Sequence, residues 1–185
     1  MNTFGDVPLP GLEFAFQPRP AIVISRRAYS SQIAPTEATI ERFWNRVIKA
    51  PSNGCWIFTG AVSGGDGYGR ITWRSGGLSR TMSAHRFALL LAYGDDTTGT
   101  VGEHRCNEPL CVRVDDAHVI PSTQTANLRY AVACGRAGAH RATGDGRTRA
   151  ERSIAVRAAV LSGWDPITYA HAAGHTGHAH TPRLF

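Results

Sequence analysis

Five residues within a 24-residue span carry the chemistry of this chain: His104, Cys106, Cys111, His118 and Asn127. Four residues separate the two cysteines, and Asn127 follows His118 by nine. Thiolate and imidazole at such spacings suit zinc, which takes sulfur and nitrogen ligands in a tetrahedral set. A carboxamide oxygen suits a hard cation such as Mg2+ instead. Both chemistries share one short segment, and together they can make a metal-assisted phosphodiesterase site. An imidazole titrates at about 6.5 when unperturbed, so it can take a proton from water near neutral pH. His104 is a candidate for this, although a strand histidine can also be a zinc ligand or a satisfied core group.

The elements that must position these groups follow from periodicity and punctuation. Thr36 caps a helix whose apolar residues Ile40, Phe43, Trp44, Val47 and Ile48 share one face, with Pro51 ending it. Short strands are expected at Cys55 to Thr59, Tyr68 to Trp73 and Leu78 to Met82, the last two joined by the turn Ser75-Gly76-Gly77. Ser83 caps a helix that Gly94 stops. The motif segment then reads strand (Val101 to Cys106), loop (107 to 117), strand (His118 to Pro121) and helix. That helix is capped by Ser122 or Thr123 and runs through Asn127 to about Ala133.

Domain boundaries follow from composition. Residues 1–35 hold five of the ten prolines and read as an irregular arm, apart from the strand-like Ala21-Ile22-Val23-Ile24. The main domain spans 36–135, and a Gly-, Ala- and Arg-rich linker covers 136–148. Helices over Arg149 to Leu161 and Pro166 to Ala173 form a small helical appendage, weakly like half of a helix-turn-helix, at 149–174. A histidine-rich flexible tail takes up 175–185.

The net charge of +6 rests on 19 arginines and one lysine, Lys49. A basic balance favours a polyanionic partner, and arginine makes bidentate phosphate contacts. A GC-rich genome also explains arginine in place of lysine. Arg70, Arg74 and Arg80 lie on one expected ribbon that could follow a DNA backbone, because a two-stranded ribbon fits the major groove; a solvated basic face fits equally well. Trp56, Phe58, Tyr68 and Trp73 read as core. No apolar run approaches the roughly 20 residues needed to span a bilayer, and no secretory signal is expected. Four cysteines in a chain of cytosolic character favour metal over disulfides.

The order of these motifs resembles the HNH endonucleases of the ββα-metal (His-Me finger) superfamily, the phage-type and His-Cys box members in particular. The resemblance rests on Glu103-His104-x-Cys106, Cys111-Val112, His118-Val119 and Asn127. Upstream it includes Gly54-Cys55-Trp56-Ile57-Phe58-Thr59-Gly60, Gly67-Tyr68-Gly69-Arg70 and Ala84-His85-Arg86-x-Ala88. It covers roughly residues 41 to 133. It implies an α+β fold in which small antiparallel strands and a ββα-metal motif surround a structural zinc, with flanking helices. The implied activity is metal-dependent hydrolysis of phosphodiester bonds in double-stranded DNA, by nicking or double-strand cutting. A phage or mobile-element setting and a cytoplasmic location come with it, as does the option of a homodimer.

The resemblance also assigns roles. His104 becomes the general base, and Arg86 stabilises the transition state and product. Asn127, with Glu103, holds the catalytic Mg2+ or a similar divalent ion. Cys55, Cys106, Cys111 and His118 hold the zinc, and Cys134 matches nothing. Two departures stand out. The family's middle asparagine is replaced by Arg113, and two extra residues precede His118. Arg113 is assigned to phosphate contact, and its presence allows a rival reading, a zinc-stapled DNA-binding module with impaired cleavage.

Overall fold

The computed structural model describes residues 33–75, 78–94, 100–134 and 145–174. The Ala21-Ile22-Val23-Ile24 strand, the Gly76-Gly77 turn, most of the linker and the tail lie outside those residues. The fold is mixed α+β with three small antiparallel sheets.

Helix α1 (Glu37–Trp44) starts where the Thr36 side chain accepts the Thr39 N–H, and it buries Phe43. It stops earlier than its apolar periodicity predicts. Val47 and Ile48 leave the helix to form strand β1 (Val47–Lys49), paired with β2 (Trp56–Phe58) through Val47 opposite Phe58 and Ile48 opposite Ile57. Two β-branched residues that seat well on a pleated surface gain a ladder there that a helix end would not give them.

Strand β3 (Ala61–Val62), which the sequence did not announce, pairs with β4 (Gly69–Ser75), and β4 pairs with β5 (Leu78–Ser83). Ile71 and Trp73 alternate inward while Thr72 and Arg74 face out. Helix α2 (Ala84–Tyr93) follows directly and ends at Gly94, whose φ of 82° suits a residue without Cβ. It buries Phe87, Ala88 and Leu90 against Phe43, Phe58, Trp73 and Val112 to make the main core.

Strand β6 (Val101–His104) pairs antiparallel with β7 (Val119–Ser122), and α3 (Gln124–Ala133) begins at the cap Thr123. His118 lies one residue before β7 rather than on it. Finally α4 (Arg149–Val160), opened by a Thr148–Glu151 capping box, and α5 (Pro166–Ala172), capped by Asp165, form a hairpin. Val156, Val160 and Ala173 of this hairpin share a buried cluster with Ile57 and Leu110. The C-terminal helices are therefore packed into the body of the protein. Among the described residues no helix is long and apolar enough to cross a membrane.

Candidate metal centre and the histidine beside it

Three cysteines converge. One ligand atom each from Cys55, Cys106 and Cys111 lies within 4.8 Å of the other two. Ligands of a tetrahedral zinc with Zn–S near 2.3 Å sit about 3.8 Å apart, so the three sulfurs fit one ion with little adjustment.

Backbone pairing brings them together across 50 residues of sequence. The loop after β6 returns alongside β2: Phe58 N–H donates to Leu110 O at 2.9 Å and Val112 N–H to Trp56 O at 2.8 Å. These bonds bracket an antiparallel bridge between Ile57 and Cys111, which sets Cys55 beside the loop. Asn107, at a φ of 58°, makes the sharp turn between the loop cysteines, a conformation asparagine tolerates better than most residues. Hydrogen bonds from Cys111 and then Cys55 stabilise a Cys106 thiolate and pull its pKa well down. The bond to Cys106 pushes Cys55 up, and burial does the same for Cys111. A pocket that already favours one thiolate is prepared for a cation.

His118 does not join the three sulfurs. It is buried, with Nδ1 2.7 Å from Asp115 Oδ1. Burial opposes the charge on Asp115, but the hydrogen bonds to His118 and Arg113 outweigh it and lower the pKa of this carboxyl. His118, expected as a fourth ligand, is outside the group whose ligand atoms all lie within 4.8 Å of one another. Cys134 is exposed and stands apart from the group.

Arg113 is likewise engaged internally. Its Nη1 donates to Ser52 O at 3.2 Å and Gly54 O at 3.0 Å, and its Nε sits 2.5 Å from Asp115 Oδ2. The guanidinium clamps the turn that precedes Cys55 onto the loop that carries Cys111. Arg113, expected to contact phosphate, thus braces the loop that carries the cysteines.

His104 ends β6 two residues before Cys106. Its Nε2 lies 3.0 Å from the carbonyl oxygen of Cys111, inside the metal loop. A carbonyl only accepts, so Nε2 carries a proton and donates to it. Two rings pack on it: Tyr68 stacks at 5.6 Å between centroids, and His85 meets it edge-on at 4.5 Å. His85 also lies against Gly102, where an added Cβ would come within 2.3 Å of its ring. Burial, then the nearby His104, Arg86 and Arg70, push the His85 pKa well below the usual histidine range and keep the ring neutral. Tyr68 and His85 belong to the site although the sequence pointed to core or motif only. The signal that could have marked them was their place beside Gly67 and Arg86 in the family-like stretches.

Glu103 faces the other side of β6, as strand alternation requires. Its carboxylate is fully buried, accepts from Ser122 Oγ at 2.6 Å and pairs with Arg105 Nε at 2.8 Å. Ser122 of β7 and Arg105, just after β6, thus hold this carboxylate from two sides. Asn127 sits on the half-buried stripe of α3 with Ala126, Tyr130 and Ala131. Tyr130 on that stripe reaches the Arg105 carbonyl at 3.3 Å, so this face of α3 looks toward the end of β6.

The basic residues divide. Arg70 pairs with Asp66 at 2.5 Å, and Arg74 and Arg86 are exposed. Arg80, opposite Trp73 in the ladder, lies 5.5 Å over the Trp73 ring, on the other face from Arg74. The three ribbon arginines therefore do not line one face. No known protein family, curated protein or solved structure matches this chain.

Proposed function

We propose that this protein is a metal-dependent endonuclease of the HNH, ββα-metal kind acting on double-stranded DNA, with His104 as general base. The observation that carries this reading is the bond between His104 Nε2 and the Cys111 carbonyl. It holds Nε2 as a donor, which leaves Nδ1 to act as the base, and anchors the ring to a loop that a metal would stiffen. The order β6, β7, α3, with Asn127 on the face of α3 that looks toward β6, supports the same reading.

His104 Nδ1 takes a proton from water while the water oxygen bonds to phosphorus. The bond to the 3′ oxygen breaks, and that oxygen takes a proton from solvent. The charge that develops on phosphorus and the leaving oxygen lies near Arg86, which is exposed in the first turn of α2 next to His85. A hard divalent cation held at the Asn127 amide oxygen would add neutralisation at the leaving oxygen. Cys55, Cys106 and Cys111 would hold a structural zinc.

The engagement of the Glu103 carboxylate by Ser122 and Arg105 favours a second reading, the zinc-stapled DNA-binding module without cleavage. Nicking of supercoiled plasmid with Mg2+, by the parent and by His104→Ala, separates the two. The endonuclease predicts a loss of about 10²-fold or more in the variant, in line with general-base contributions, at unchanged zinc content. A parent that binds DNA and never nicks it would leave the binding module as the function.

A further inference from the structure

We propose that Arg149 is a phosphate-binding residue of the His104 site, delivered by the C-terminal helical hairpin. The inference rests on the nuclease reading and extends it to a residue 45 positions from the base in sequence.

Arg149 is the first residue of α4 and is exposed. Its backbone is pressed onto Gly67: a Cβ built there would meet Arg149 O at 2.7 Å and its carbonyl carbon at 2.9 Å. Gly67 also has a φ of 72°, so this close approach depends on glycine. The lock sets the start of α4 beside Tyr68, with the Arg149 guanidinium carbon 6.0 Å from the centre of that ring. The other side of the chain of contacts is the Tyr68 stack on His104. Arg149 therefore stands within about 12 Å of the His104 ring, and both are against Tyr68.

Several other arginines are engaged internally. Arg70, Arg105, Arg113, Arg147 and Arg152 each pair with a carboxylate. Arg157 donates to Gly60 O. Arg149, like the exposed Arg86, has no carboxylate partner among the described residues. A cation fixed in place by backbone packing and an aromatic face, and not by an acid, is prepared for an external anion. A guanidinium fork matches two phosphate oxygens. Its distance from His104 suits a phosphate flanking the scissile one, so Arg149 serves binding and register, not the chemical step.

The test uses the full-length zinc-loaded protein, a duplex oligonucleotide and salt from about 50 to 200 mM. Arg149→Ala should lower the slope of log affinity against log salt by about 0.9, one phosphate contact. In the nicking assay it should raise KM several-fold and change kcat less than about twofold, at parental zinc content. Arg149→Lys should keep the salt slope while recovering only part of the affinity, because lysine offers a point charge without the fork. An unchanged slope and KM in Arg149→Ala, with a parent that binds and cuts, overturns this inference alone. A parent that binds without cutting, with the slope lowered in the variant, removes the nuclease reading and keeps Arg149 as a phosphate contact. A parent that does not bind DNA overturns both.

Discussion

Replacing Arg152 with methionine should loosen the metal loop from a distance. Arg152 on α4 donates to Glu108 Oε2 at 2.9 Å and, through Nε, to Ala173 O at 3.0 Å. Glu108 sits between the two loop cysteines, is only 1 % exposed, and accepts the Leu110 N–H at 3.1 Å and the Tyr169 hydroxyl at 3.3 Å. Removing the guanidinium leaves a carboxylate in the interior with two neutral donors. Breaking a buried ion pair from one side costs about 3–5 kcal/mol. With a urea slope of about 2 kcal/mol/M for a chain of this size, the unfolding midpoint should drop by roughly 1.5–2.5 M. The assay is urea denaturation of the zinc-loaded protein followed by helical circular dichroism and by zinc release to a chromogenic chelator. Both signals should move together, because the hairpin and the metal loop share Glu108. The double variant Glu108→Gln/Arg152→Met should recover more than half of the loss, since it carries no uncompensated charge. A midpoint within about 0.5 M of the parent in Arg152→Met, or zinc release that does not shift with the helix signal, would refute the coupling.

Two further outcomes follow from the site. Zinc should bind at about one ion per chain, and Cys106→Ser or Cys111→Ser should lose it together with the fold, whereas His118→Ala should retain it; elemental analysis of reduced protein decides, and zinc loss in His118→Ala would show that this histidine closes the site after all. His85 has a depressed pKa in the fold, so below about 6.5 the unfolded chain takes up a proton that the native state resists. The stability this group contributes is complete above that value and falls as pH drops from about 6.5 toward its lower native pKa. His85→Phe should flatten the fall between pH 7 and 5 in thermal melts, and an identical pH profile in the two proteins would show that the burial does not matter.

Local signals sufficed for much of this protein. Alternation gave the ribbon that buries Ile71 and Trp73, Thr36, Thr123 and Gly94 marked helix ends, and the spacing of Cys106 and Cys111 pointed to a metal, while Cys55 entered only through the family resemblance. These are properties of a residue and its near neighbours, so sequence order carries them. What the sequence left open depended on partners distant in the chain. Val47 and Ile48 suit a helix face or a strand equally, and pairing with Phe58 and Ile57 chose the strand. An arginine in a loop of a basic chain suggests phosphate, yet two carbonyls at Ser52 and Gly54 and the Asp115 carboxylate claimed Arg113. Glu103 read as a possible ligand by position, and the fold gave its carboxylate Ser122 and Arg105 as partners. The linker composition suggested a separate appendage, but Arg152 reaches back 44 residues to Glu108, and Gly67 lets Arg149 approach the ring beside His104. Polar side chains and short apolar runs have several near-equal local uses, and the tertiary structure decides among them by supplying the partner that a buried group must have.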